Sequence, residues 1–209
     1  DWNQLFDNCL KNKNLLLDVD IRKIDTKNKT LITDKNHKIK YDFLISTTNI
    51  DDLHNYKYGK LNYAGYDIEA KIIKKKDAYT LDNKEISMLY FPEKKYKHCR
   101  ITNYGSFQKK KGFPYDTHTI LTIEKPNNNV RLYPTLDKKN TDLFKKYLFE
   151  TAKHKDIILF GRLGLYKYLT SDTTIEMAFR LRKYISTWKK MSTSKRVLAY
   201  EKIRGGWNN

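Results

Sequence analysis

The spacing of apolar positions changes near residue 56 and again after residue 125, and these changes divide the chain. Residues 3–12 place Leu5, Phe6, Cys9 and Leu10 on one stripe of a helix. The run Leu15-Leu16-Leu17-Asp18-Val19-Asp20-Ile21 then reads as a strand. Residues 30–33 and 38–41, separated by Asp34-Lys35-Asn36-His37, give a hairpin signal without a turn glycine. Residues 41–48 predict a buried strand ending in small hydroxyl side chains, with Asn49 or Asp51 opening a short helix. Helix, strand, hairpin and strand in this order favour an α/β unit over a helix bundle.

From residue 56 to 125 the period is two. Residues 66–73 alternate, residues 87–92 and 99–104 read as further strands, and residues 117–124 show the clearest alternation in the chain. Strands joined by turns, with no helix between them, predict a mostly antiparallel sheet. Helical spacing returns over 141–153, where Leu143, Phe144, Tyr147 and Leu148 keep the three/four interval. A short apolar strand at 157–160 and a helix at 175–188 follow, with a basic tail beyond. The expected fold class is mixed α/β of the α+β kind.

Charge changes the picture less than its size suggests. The 42 Lys+Arg against 24 Asp+Glu give a formal net charge of +18, which alone would be a nucleic-acid footprint. Only eight of these cations are Arg, and the 34 Lys are scattered, with short runs at Lys74 to Lys76 and Lys109 to Lys111. Phosphate and base readers lean on the planar Arg fork, so the excess reads as background in a chain also rich in Asn, Ile and Tyr. Nucleic acid is not the expected partner. The 13% of aromatic residues argues against disorder. No apolar run approaches the ~20 residues of a membrane span, so no membrane partner is expected either. The polar opening Asp1-Trp2-Asn3-Gln4 carries no signal-peptide pattern, which predicts a cytoplasmic protein, and the chain starts without Met, as a piece of a longer one would. Cys9 and Cys99 form no CxxC and the five His lie far apart, so neither a disulfide framework nor a metal site is expected.

Candidate chemistry concentrates at 157–185. A buried strand delivers Gly161-Arg162-Leu163-Gly164 at its carboxyl end, followed by Tyr166, Lys167 and Tyr168 and then by Ser171-Asp172-Thr173-Thr174 opening a helix. That is where α/β sheets bind ligands, and helix N-termini favour anionic groups. Asp172 would cap this helix or hold a hydroxyl.

Here the sequence resembles the UDP-galactopyranose mutase family. Its closing motif of Gly-Arg-Leu/Phe, two variable residues and Tyr-Lys/Arg-Tyr is similar to Gly161-Arg162-Leu163-Gly164-Leu165-Tyr166-Lys167-Tyr168. Tyr133-Pro134, Asp137-Lys138-Lys139-Asn140 and Asp142-Leu143-Phe144-Lys145-Lys146-Tyr147 resemble the block before it. Leu89-Tyr90-Phe91-Pro92-Glu93 with Arg100-Ile101-Thr102-Asn103-Tyr104 resembles the strands bearing a diphosphate-facing Arg, and Tyr58-Gly59-Lys60-Leu61-Asn62-Tyr63 the family's Gly-Ala-Leu-Glu-Tyr segment. The resemblance implies an isomerase that uses reduced FAD. Its flavin N5 attacks the anomeric carbon of UDP-galactopyranose, UDP leaves, and the sugar opens and recloses as the furanose.

It further implies that Arg100 is the catalytic residue, holding the diphosphate where charge grows. Tyr133, Tyr166 and Tyr168 would join it in binding the substrate, while Gly161, Arg162, Leu163 and Asp172 would hold FAD. The implied divisions are 1–52 as the remainder of an FAD-binding α/β domain, 53–128 as a substrate-facing antiparallel lobe, 129–188 as a return to the FAD-binding domain, and 189–209 as the basic tail. The implied partners are a UDP-sugar and the family's N-terminal half with its Gly-x-Gly-x-x-Gly loop, in the same or a separate chain; self-association is left open. The chain departs from the pattern in three places. Ala64-Gly65 stands where the family has a second diphosphate Arg, Leu169 where a Tyr is expected, and Thr170 where an acidic residue is expected. Two other readings are an amine-oxidase-type FAD oxidoreductase and a truncated, non-catalytic binding or structural remnant.

Overall fold

The structure, a computed structural model, describes residues 2–81, 84–107 and 112–206, apart from the side chains of Trp2 and Leu81. The lysine run at 109–111 lies outside these residues. Helix α1 (Trp2–Leu10) leads into an antiparallel meander of β1 (Ile21–Asp25), β2 (Thr30–Thr33) and β3 (Lys38–Lys40). The β2–β3 hairpin forms without glycine because Asn36 takes the left-handed conformation at φ 60°. The leucine run before it is not a strand: Leu15, Leu16 and Leu17 are 54%, 66% and 72% exposed, and pairing starts only at Ile21. A run of three apolar residues with no neighbouring strand has nothing to bury against.

The next strand, β4 (Leu44–Ser46), pairs in parallel with β13 (Ile157–Leu159), far away in sequence. Every residue of β13 is buried, which explains its unbroken apolar sequence. Helix α2 (Ile50–Leu53) follows β4, and α3 (Lys138–Ala152) precedes β13. Asp137 caps α3 by accepting from the Asn140 N–H at 2.8 Å. After β13 come α4 (Gly161–Gly164), α5 (Ser171–Ile185) and α6 (Thr193–Arg204). The core gathers Ile50, Leu53 and Leu61 with Phe144, Tyr147, Ile158, Tyr166, Trp188 and Tyr200 from these helices and strands.

The last helix corrects the sequence reading, which left 189–209 as a basic tail. Ser192 caps α6, Tyr200 and Ile203 are fully buried, and Gly205 closes it at φ 79°. Its cations conceal the buried face. Arg196 donates to the Ala152 and Met191 carbonyls at 2.7 Å each, and Arg204 to the Leu165 and Tyr166 carbonyls at 3.2 and 3.1 Å. Buried guanidinium groups satisfied by loop carbonyls look like surface charge in a sequence.

Between the two stretches that build this core lies the antiparallel sheet β6 (Tyr66–Lys74), β11 (His118–Pro126), β10 (Arg100–Asn103) and β9 (Met88–Tyr90), in that spatial order. A short hairpin of β7 (Thr80–Leu81) and β8 (Lys84–Glu85) flanks it. The register sets Tyr90, Arg100, Glu124 and Ile68 in one row across one face. That face is open, with Ile68, Ile72 and Tyr90 each more than 60% exposed. A two-residue pairing of β5 (Tyr63–Ala64) with β12 (Tyr133–Pro134) joins the sheet to the core. Arg131 reinforces the joint, donating to Asp51 at 2.6 Å and Asp52 at 2.9 Å with its guanidinium over the Tyr63 ring.

Candidate functional site

The end of β13 is pressed against β4. Phe160 N–H donates to the Ser46 carbonyl at 2.9 Å, and Gly161 then turns the chain at φ 73°, a conformation glycine adopts without penalty. A Cβ at Gly164 would stand 2.9 Å from the Ser46 carbonyl oxygen. Only glycine permits this approach, and it fixes the direction in which Arg162 leaves the turn.

Arg162 donates to the Leu169 carbonyl at 2.6 Å and reaches the Leu132 carbonyl at 3.5 Å. Its guanidinium carbon lies 4.7 Å from the centre of the Tyr133 ring and 5.4 Å from that of Tyr168, and the two rings stack at 5.6 Å. Its bonds run to carbonyls rather than carboxylates, so the cation is oriented without being neutralised.

Tyr133 carries the contact onward. Its hydroxyl lies 3.1 Å from that of Tyr66 at the edge of the open sheet face. This bond, aided by burial, pushes the Tyr66 phenol up to about 12. The Tyr66 ring in turn lies 5.9 Å from the Arg100 guanidinium carbon, with Tyr90 at 5.8 Å on another side. Arg100 donates from Nε and Nη2 to one oxygen of Glu124, at 2.8 and 2.6 Å. Glu124 is only 5% exposed, and its hydrogen bonds hold the Arg100 guanidinium well above its ordinary pKa. A continuous series thus runs from Glu124 through Arg100, Tyr66 and Tyr133 to Arg162 and Tyr168, with two fixed cations along it.

Beside Arg162 a groove of about 520 Å³ opens between α1 and α5. Leu5, Phe6, Ile175 and Phe179 make its walls apolar, and Thr170 and Ser171 bring the start of α5 to its rim.

Three comparisons bear on this arrangement. A family model described as UDP-galactopyranose mutase matches residues 2–168. The chain belongs to the UDP-galactopyranose mutase family.

Among curated relatives, UDP-galactopyranose mutase of Mycoplasma genitalium is 31% identical over 133 residues, covering 63% of this chain and 32% of that protein. The probable UDP-galactopyranose mutase of Klebsiella pneumoniae is 28% identical over 137 residues, covering 63% and 33% respectively. The fold is similar to that of a reduced UDP-galactopyranose mutase crystal structure, with a TM-score of 0.66 at 18% identity, over 89% of this chain and 49% of that one. The matched region therefore spans about a third of the curated relatives and half of the solved chain.

Within the UDP-galactopyranose mutase fold, the structure brings four of the expected site residues together: Arg100, Tyr133, Arg162 and Tyr168. Gly161 forms the turn that aims Arg162. Leu163 points elsewhere, toward a separate cleft with Thr47, Thr48 and Arg22. Tyr166 departs from its expected role as a substrate contact. It is fully buried, its hydroxyl donating to the carbonyls of Asn62 at 2.5 Å and Thr135 at 3.0 Å while its ring stacks on Phe144. A phenol so enclosed has no face left for a ligand. Asp172 stands exposed in the first turn of α5, its carboxyl held low by a hydrogen bond with Thr170 and by backbone N–H groups, while Thr170 caps the helix in a box with Thr173.

Sequence reasoning missed Tyr66 and Glu124. Glu124 closes the clearest alternation in the chain and falls opposite Arg100 in register, a pairing that period-two spacing alone does not align. Tyr66 had no signal beyond being one Tyr among 16.

Proposed function

We propose that this chain supplies the carboxyl-terminal half of a UDP-galactopyranose mutase-type active site, working on a UDP-sugar with reduced FAD once a complementary N-terminal half is present. The observation that carries the reading is the Arg100–Tyr66–Tyr133–Arg162 series, which spaces two cations along an aromatic surface. The apolar groove beside Arg162 suits a flat ring system, and the start of α5 suits its anionic tail, so these residues fit part of FAD. Leu169, Thr170 and Arg162 would line the cofactor's side of the site. When bound, reduced FAD supplies the nucleophilic nitrogen for the anomeric carbon.

The chain's own residues do the electrostatic part. Glu124 fixes the Arg100 guanidinium before any ligand arrives, so the cation needs no reorganisation as negative charge grows on departing UDP. Arg162, bound only to carbonyls, keeps its charge available at the other end of the series. Tyr66, its phenol pushed up to about 12, keeps its proton at neutral pH, and the paired Tyr66 and Tyr133 hydroxyls face phosphate oxygens. The open sheet face with Ile68, Tyr90 and Ile72 offers an apolar surface to the sugar's apolar side.

The test is to mix this chain with the N-terminal half of a family relative, add FAD under reducing conditions, and assay interconversion of UDP-galactopyranose and UDP-galactofuranose. FAD that co-elutes with the mixed halves, yellow before reduction, and turnover once it is reduced are expected. No co-eluting flavin, with each half shown to be folded, would remove the reading.

One observation favours a second reading, a binding remnant without turnover. Ala64 replaces a charged diphosphate contact, and Gly65 cannot supply one, because a Cβ there would lie 2.0 Å from the Val130 carbonyl oxygen. UDP-sugar binding without turnover in the same assay would select it.

A further inference from the structure

A separate pocket of about 250 Å³ lies against Tyr168, at the end of the series above. Lys167, Arg180 and Arg204 line it, and among the described residues the one carboxylate lining it is that of Glu176. Gly205, at φ 79°, ends α6 and forms the floor. A Cβ built on Gly205 would lie 2.8 Å from Arg180 Nη1 and 3.7 Å from Lys167 Nζ, so these two heads stand no more than about 6.5 Å apart.

Each cation is held in place by a directed hydrogen bond. Lys167 Nζ donates to the Arg204 carbonyl at 2.7 Å. Arg204 lies beneath, spending donors on the Leu165, Tyr166 and Gly206 carbonyls. Arg180 bonds Glu176 one helical turn away through Nη2, and that carboxylate is 60% exposed. Lys167 has no carboxylate partner among the described residues. Its ammonium is held below its ordinary pKa by burial first, then by Arg204 and Arg180. Lys167 and Arg180, with Arg204 nearby, bring like charges toward one small concavity, and a bound anion would ease their repulsion.

We propose that this pocket binds one tetrahedral oxyanion of the phosphate class, held between Lys167 Nζ and Arg180 Nη1 above Gly205. The span between the heads suits two oxygens of one phosphate, and the pocket has room for the anion together with waters. The glycine matters because any side chain at 205 would fill the place between the two donors. The site goes beyond the UDP-sugar reading and does not depend on it.

The test is calorimetric titration of the chain with inorganic phosphate against chloride at matched ionic strength, with thermal unfolding in parallel. Saturable one-to-one binding and a rise in Tm with phosphate are expected. Arg180→Gln, on the half-exposed face of α5, should weaken binding at least tenfold with a Tm in chloride no lower than the parent's, and Lys167→Gln should do the same. Arg100→Lys, in the other site, should leave the phosphate affinity as it is. Glycerol phosphate binding equally well would assign the site to phosphomonoesters, and its failure beside phosphate binding would assign it to the free anion. No saturable binding, or equal binding by Arg180→Gln and the wild-type chain, overturns the proposal.

Discussion

The hydroxyls of Tyr66 and Tyr133 meet at 3.1 Å, and this one bond ties the open face of the antiparallel sheet to the stack around Arg162. The bond is the first cause of the raised Tyr66 pKa, about 12 against an ordinary 10.0. A phenol whose folded pKa is raised contributes stability that is complete below pH 10 and is lost as pH climbs through 12. Tyr133→Phe should therefore lower the Tyr66 titration toward 10, read as phenolate absorbance difference against a Tyr66→Phe control. An unchanged alkaline titration would mean that the two hydroxyls do not interact.

Arg100 and Glu124 form a second linked pair, and it complicates the obvious mutation. Removing Arg100 strands a carboxylate that is only 5% exposed, so Arg100→Met should cost about 1–3 kcal/mol in urea unfolding. Replacing both, Arg100→Met with Glu124→Met, should recover most of that loss. A double variant no more stable than the single one would show that the pair contributes no coupling. Activity lost in the double variant can then be assigned to the missing cation rather than to a damaged sheet.

Much of this architecture was legible in the sequence wherever one face of an element is buried and the other wet. Helix α3 and strand β11 show their periods because Phe144, Tyr147 and Leu148 share the helix's buried face, and Thr119 and Leu121 are buried between more exposed neighbours in the strand. Helix α6 hid because its buried positions include Arg196 and Arg204, whose charge is satisfied by carbonyls that a sequence does not display. The leucines at 15–17 misled in the opposite direction, being apolar yet exposed. Site residues divide the same way. Arg162 was visible through the glycines around it, whereas Tyr166 shares its motif but faces the core.

His54 predicts an acid-side effect distinct from any carboxylate. Thr151 uses its one proton on the Tyr147 carbonyl, so His54 Nε2 donates to the Thr151 hydroxyl oxygen, at 2.6 Å. Burial, then the nearby His154, lowers the His54 pKa to about 4 from 6.5. A depressed folded pKa contributes stability that is present above pH 6.5 and is lost as pH falls through 4. The loss should amount to about 3 kcal/mol across that window. His54→Gln keeps a donor and should flatten the stability profile between pH 6.5 and 4, followed by urea unfolding. A profile that stays equally steep would place the titration elsewhere.

Ala64 offers a gain-of-function test of the proposed site. It lies directly opposite Tyr133 in the β5–β12 pair, and opposed residues in an antiparallel pair share a face. Its side chain is exposed and borders a cleft of about 550 Å³ together with Lys60 and Arg131. An arginine at 64 would therefore rise on the Tyr133 side, adding a third guanidinium to those of Arg100 and Arg162. A charge-assisted hydrogen bond contributes about 1.5–3 kcal/mol, so Ala64→Arg should tighten UDP binding roughly ten- to a hundredfold by calorimetry. Ala64→Gln, of comparable length and uncharged, should gain much less. Gly65 must remain untouched, since its Cβ has no room beside Val130. Equal affinities for Ala64→Arg and the parent chain would mean that this face does not meet the diphosphate.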